Sequence, residues 1–324
     1  MDIKRGLIIV LVYLGISVLI FASDFIPLGI VEDVSVSPAI FSLILLVPLF
    51  LWYTHARRKF SSKDEMEKNA VWVEVFALSL LAMAVRIPSV LVMGMAFEKT
   101  AVIYLVVLTV ALVKRSNLGV LGFRTGHFTR SLLIGLVYYL VFGMALFATF
   151  FGLIYAFTGH LVVTGYDLFP SLFVFPFMTF CVGVSEEGLF RGFIQTRLAK
   201  FYSERKALLV QALLFGVWHF IWHVSPFDSV GMLLHVSSTF VFGLVFGQFY
   251  RKSRNLIPLI LAHGLVDTIG YGATFNPELE MADPLVQGIQ ALSFITGIII
   301  LALCTKFLAG KAQVNAETYV RAQL

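Results

Sequence analysis

Charge is scarce in this chain. Asp, Glu, Lys and Arg make up 13% of its 324 residues, about half the share usual in soluble domains. Cysteine is scarcer still, with Cys181 and Cys304 alone, each inside an apolar run. That pattern excludes a disulfide framework and a cysteine-based zinc site. There is no His-Glu-x-x-His helix, no repeat of fixed period and no low-complexity tract. The last residues, Val320–Leu324, hold no cysteine to prenylate.

What fills the chain is apolar. Hydrophobic residues reach 59% with a mean hydropathy of +0.91, and long apolar runs recur from end to end. The fold expected is an all-α, polytopic transmembrane helix bundle. Ten spans are predicted, near 6–22, 38–54, 70–94, 100–113, 131–157, 171–194, 206–223, 230–250, 255–272 and 285–308. Lys4 and Arg5 precede the first, which is longer than a signal-peptide core and lacks a small-x-small cleavage site.

Loop charges orient the bundle. With the N-terminus inside, the inner loops hold Arg57, Arg58, Lys59, Lys63, Lys68, Lys114, Arg115, Arg124, Arg130, Arg197, Lys200, Arg205, Lys206, Arg251, Lys252 and Arg254. The outer loops hold Lys99 among acids such as Asp24, Glu32, Asp33, Glu98, Asp167, Asp228, Glu278, Glu280 and Asp283. Such asymmetry predicts both termini in the cytoplasm. The basic loop Arg115–Ser131 separates four N-terminal spans (1–114) from a six-span core (115–310) and a cytoplasmic tail (311–324).

A few charges sit where lipid is expected. The sixth run carries Glu186, Glu187 and Arg191, the seventh His219 and His223, the ninth His263 and Asp267. An acidic or basic residue at a helix centre costs about 2.5–3.5 kcal/mol on insertion scales, so it marks a functional site by default. Glu187 and Arg191 share a helix face at i, i+4. Glu186 points about 100° away, free to face a neighbouring helix. His263 and Asp267 also share a face. At ~1.5 Å per residue, Glu186 and His263 lie about 12 Å from the inner ends of their spans, Asp267 about 18 Å and His219 about 20 Å. His223 and His235 fall near the outer surface and are set aside as reaction partners.

"EEGLFR" (Glu186–Arg191), "FGVWH" (Phe215–His219) and "HGLVD" (His263–Asp267) resemble the three motifs of the CAAX-processing and bacteriocin-processing (CPBP, or Abi) intramembrane proteases. That family includes the type 2 CAAX prenyl proteases. Its patterns are Glu-Glu-x-x-x-Arg, Phe-x-x-x-His and His-x-x-x-Asn or Asp, and they occur here in the family's order. The segment Leu121–Arg124 resembles the stretch that often precedes the core. The resemblance covers roughly residues 118–308.

The resemblance implies an endopeptidase in which Glu186, helped by His219, activates water, with His263 and Asp267 stabilising the oxyanion or completing the polar site. Glu187, Arg191 and Phe215 match supporting positions. Asp267 stands where the eukaryotic prenyl proteases have Asn, and an ionised carboxylate only accepts hydrogen bonds. Peptide hydrolysis needs an activated water, donors for the oxyanion and a proton for the leaving amine, which these residue types can supply. No cofactor is favoured. Zinc held by Glu186, Glu187, His219 and His263 is the alternative. A transporter using the same groups as a proton relay, or a non-catalytic scaffold of the same fold, are the other readings.

The expected partners are a membrane-bound peptide or protein, lipidated or not, and membrane lipid, with no nucleic acid. Cleavage is expected near the cytoplasmic leaflet of a bacterial or archaeal plasma membrane. Four nearby features have plainer readings. Arg86 snorkels outward with its helix ending near Pro88, Glu74 reaches interfacial water, Trp218 and Trp222 serve packing, and Ser185 is a small packing residue.

Overall fold

Each of the ten apolar runs forms a helix in the computed structural model, which describes residues 3–26, 37–61, 67–280 and 283–313. They are α1 (Ile3–Ser23), α2 (Ser37–Ala56), α3 (Val71–Met93), α4 (Lys99–Leu108, continued by a π turn Thr109–Val113), α5 (Phe128–Thr158), α6 (Leu168–Phe201), α7 (Glu204–Val217), α8 (Ser229–Ser253), α9 (Ile257–Thr268) and α10 (Pro284–Ala312). The chain is thus an all-α bundle, as expected. The tail beyond 313, with Lys63, Glu32 and Asp33 of the loop-charge argument, lies outside the described residues.

Among the described residues, seven helices are long and apolar enough to cross a membrane: α1, α2, α3, α5, α6, α8 and α10. α4, α7 and α9 are shorter. The seventh run differs most from expectation. α7 stops at Val217, where the backbone tightens and the His219 N–H bonds the Gly216 carbonyl at 3.0 Å. His219 therefore follows the helix instead of sitting within it. α3 runs through Pro88 to Met93 and ends at Gly94, whose φ of 68° gives the left-handed cap. A capping side chain opens several helices: Ser203 Oγ accepts from Lys206 N, and Asp228 Oδ1 from Gly231 N.

Contacts gather the basic residues at one end. Arg5 Nη1 bonds Leu112 O at 3.0 Å, Lys114 pairs with Glu74, Trp72 Nε1 bonds the Tyr202 hydroxyl at 2.7 Å, and Arg254 pairs with Glu204. Glu74 is therefore held by Lys114 and by Arg197 at 3.5 Å rather than by interfacial water. At the other end a two-stranded antiparallel ribbon joins β1 (Val163–Tyr166) to β2 (Ala273–Phe275).

Two apolar cores flank α6. One joins α1–α4 with α6 and α7, and the other joins α5, α8, α9 and α10. α6 and α9 approach closely where glycine removes the side chain. A Cβ on Gly183 would stand 2.7 Å from Ile260 O, and one on Gly264 2.7 Å from Thr179 Cα. This contact seats His263 against Glu187. Gly264→Ala is expected to destabilise the bundle by about 1–3 kcal/mol, read as an earlier midpoint in SDS titration of the detergent-solubilised protein.

Candidate active site

α6 is distorted on both sides of its two glutamates. π-helical stretches span Met178–Gly183 and Glu187–Gln195, with one α turn, Val184–Glu186, between them. Such insertions occur often at functional sites because each shifts the side chains beyond it around the axis.

The adjacent glutamates face different partners. Glu187 is fully buried; its Oε1 lies 2.8 Å from His263 Nδ1 and 3.2 Å from Arg191 Nη1. The i, i+4 pair with Arg191 is as the spacing predicts. The Arg191 guanidinium also lies 4.1 Å over the Phe215 ring. Phe215 stands edge-on to His219 and His263, with ring centroids 4.8 and 6.2 Å away. One aromatic ring thus packs against three polar side chains.

Glu186 turns the other way, but it is not free. Its Oε1 accepts a hydrogen bond from Trp218 Nε1 at 2.9 Å and is ion-paired with Lys99. Its Oε2 makes no hydrogen bond and faces His263 Nε2 at 3.5 Å and His219 Nε2 at 3.9 Å. The tautomer of His219 follows from its other nitrogen. Nδ1 lies 2.8 Å from the Phe215 carbonyl, which can only accept, so Nδ1 carries the hydrogen. In the neutral ring, Nε2 is then an acceptor pointed at a carboxylate oxygen. Two acceptors at that separation suit a bridging water, which can donate to both.

His263 sits among carboxylates. Nδ1 meets Glu187, and Nε2 lies 3.5 Å from both Glu186 Oε2 and Asp267 Oδ2. The structure therefore brings Glu186, Glu187, Arg191, Phe215, His219, His263 and Asp267 to one place. Ser185 is spent locally, its hydroxyl bonding the Val182 carbonyl at 2.9 Å. Cys181 and Cys304 are both free thiols.

Several participants were misread or missed in the sequence. Arg86 does not snorkel: it is 1% exposed, with Nη1 2.9 Å from Glu98 Oε1 and Nε donating to Trp218 O at 3.0 Å. Glu98 and Lys99, read as outer-loop residues, are buried at the start of α4. Trp218 packs, but it also donates to Glu186. His235, set aside by depth, lines the cavity, and His223 bonds His235 Nδ1 at 3.0 Å. The available signal was Arg86 itself, a cation well inside an apolar run.

A cavity of about 590 Å³ borders this cluster. Its lining includes the polar Lys99, Glu186, His219, His263 and Asp267 and the apolar Phe142, Leu146, Phe242, Val266 and Phe294. The cavity extends from Glu186 toward Met95, Trp222, His235 and Tyr271, on the side of the β1–β2 ribbon. On the basic side, Leu189, Phe190, Phe193 and Ile194 are packed solid. The depths also change. α6 continues to Phe201 instead of ending near 194, so Glu186 lies about 22 Å from its basic end rather than about 12 Å.

Among the described residues, no group of three or more His, Cys, Asp or Glu side chains is placed to hold a metal ion. The Lys99 ammonium takes Glu186 Oε1, and Arg191 and His263 take Glu187 Oε1.

Residues 168–269, just under a third of the chain, match the family described as Rce1-like, type II CAAX prenyl endopeptidase Rce1-like. The matched segment contains all seven motif residues, while Arg86, Glu98 and Lys99 lie outside it. It bears out the resemblance to the CAAX protease family and implies a membrane protease acting on a peptide or protein in general. No curated protein and no solved structure matches the chain.

Proposed function

We propose that this membrane protein, with its CAAX-protease-like segment, is an intramembrane endopeptidase that uses Glu186 and His219 to activate water. The observation that carries the reading is the unpartnered Glu186 Oε2, facing two imidazole nitrogens at the edge of a mostly apolar cavity. A water between Oε2 and His219 Nε2 loses a proton to Glu186 as its oxygen attacks the peptide carbonyl. The negative charge that develops on the carbonyl oxygen is met by the Nε2–H of His263 in its imidazolium form, whose Nδ1–H is held by Glu187 and which keeps both protons through the cycle. The proton on Glu186 then passes to the amide nitrogen as the C–N bond breaks, leaving a carboxylate and an amine. Asp267, an acceptor when ionised, orients His263.

The reaction as read needs no metal. The support is electrostatic: the Lys99 ammonium already supplies a cation to Glu186. The apolar lining suits a hydrophobic side chain or a lipid beside the scissile bond. The short connections between helices fit a bacterial or archaeal plasma membrane.

The test is mass spectrometry of products from a membrane-peptide library incubated with purified protein in liposomes, with lipidated and unlipidated sets. Defined endopeptidase products are expected, made at an unchanged rate after EDTA and without stoichiometric bound metal. Activity that EDTA removes and zinc restores would overturn the metal-free step. Proton-coupled flux with no cleavage would overturn the peptidase reading.

A further inference from the structure

We propose that Lys99 is a positioning residue for Glu186, and that Arg86 plays the same part for His219, so that α3 and α4 complete a site whose motifs lie elsewhere in the chain. This rests on the peptidase reading above. The geometry is a chain of buried charges. Arg86 Nη1 contacts Glu98 Oε1 at 2.9 Å, Glu98 Oε1 lies 3.5 Å from Lys99 Nζ, and Lys99 pairs with Glu186. Arg86, Glu98 and Lys99 are each 1% exposed.

A carboxylate can rotate to present either oxygen. With Oε1 held by Lys99 and by Trp218 Nε1, only Oε2 is left to face the cavity. Arg86 acts one peptide away from the other reacting group. Its Nε holds the carbonyl of Trp218, the residue before His219, and its guanidinium lies 4.4 Å over the Trp218 ring. That stretch has just left α7, and while its N–H groups still bond back to Leu214 O and Gly216 O, the Trp218 carbonyl takes its hydrogen bond from Arg86. A plain structural salt-bridge chain would stabilise the bundle without touching either reactive group. This one ends on both. Lysine also suits the position because its ammonium is a compact point charge, while a guanidinium is a planar fork.

The experiment compares full-length Lys99→Met, Lys99→Arg and Lys99→Ala in liposomes, using the best peptide found for the wild type. Lys99→Met is expected to lose about 100-fold in kcat with KM changed less than about threefold. Lys99→Arg is expected to recover part of that loss. Ethylammonium at millimolar concentration is expected to restore turnover in Lys99→Ala at least tenfold by entering the cavity. A kcat for Lys99→Met within threefold of the wild type would overturn the assignment. So would a Lys99→Ala protein that ethylammonium stabilises but does not reactivate. The Glu186 carboxylate band, isolated as the infrared difference between wild type and Glu186→Gln, is read in parallel. It is expected to shift in Lys99→Met even if no peptide is cleaved, and an unmoved band would count against the clamp alone. Absence of cleavage by the wild type itself would count against the peptidase reading alone.

Discussion

Glu186→Gln is expected to reduce peptide cleavage by about three orders of magnitude, within the range for loss of a general base, with the bundle still folded. The amide has the shape of the carboxylate and retains an oxygen that can accept from Trp218 Nε1 and Lys99 Nζ. What disappears is the group that takes the water proton. Lys99 then shares Glu98, 3.5 Å away, with Arg86, so the substitution leaves one net positive charge among three buried groups and a modestly lower melting point is expected. Initial rates on the same liposome-bound peptide, measured beside a melting curve, check both halves of the expectation. Residual activity above a tenth of wild type would remove Glu186 from the centre of the mechanism.

Arg191→Met is expected to be the most destabilising single change. Both partners of the Arg191–Glu187 pair are fully buried, and removing one member of a buried pair costs about 3–5 kcal/mol because the other is left uncompensated. The loss also removes the cation over Phe215, 4.1 Å away, and with it a support of the His219 and His263 rings. The double variant Arg191→Met/Glu187→Leu is expected to recover most of the stability, since an apolar pair of similar volume often replaces a buried ion pair without loss. It is not expected to recover activity, because His263 Nδ1 loses its acceptor. Denaturation midpoints of the two single variants and the double in one cycle give the coupling energy. Additive losses would mean the two side chains do not act as a pair.

The helices were legible because backbone bonding in a membrane forces apolar runs into helices. The motif residues were legible because i, i+4 spacing fixes shared faces, as the Glu187–Arg191 and His263–Asp267 pairs bear out in distance. Two kinds of feature were not. Long-range pairing was hidden: Lys99 and Glu186 stand 87 positions apart, and no periodicity links them. Axial position was also hidden. Depth counted from an apolar boundary failed at α6, which continues past Gln195 with Arg197 buried against Phe193, its guanidinium 4.3 Å over that ring. His235 was placed too near the surface by the same counting. Arg86 was read as snorkelling because the bond it makes to Trp218, 132 positions away, leaves no local trace.

The separation of Lys99 from Glu186 has a consequence for biogenesis. At about 5–20 residues per second of synthesis, roughly 4–17 s pass between emergence of the lysine and of its carboxylate. Over that interval Arg86, Glu98 and Lys99 carry one uncompensated positive charge, which hydrocarbon disfavours. The leading end of α4 is therefore expected to stay at a hydrated boundary until α6 arrives, so that a nascent chain arrested before Glu186 would leave Lys99 open to a water-soluble amine reagent.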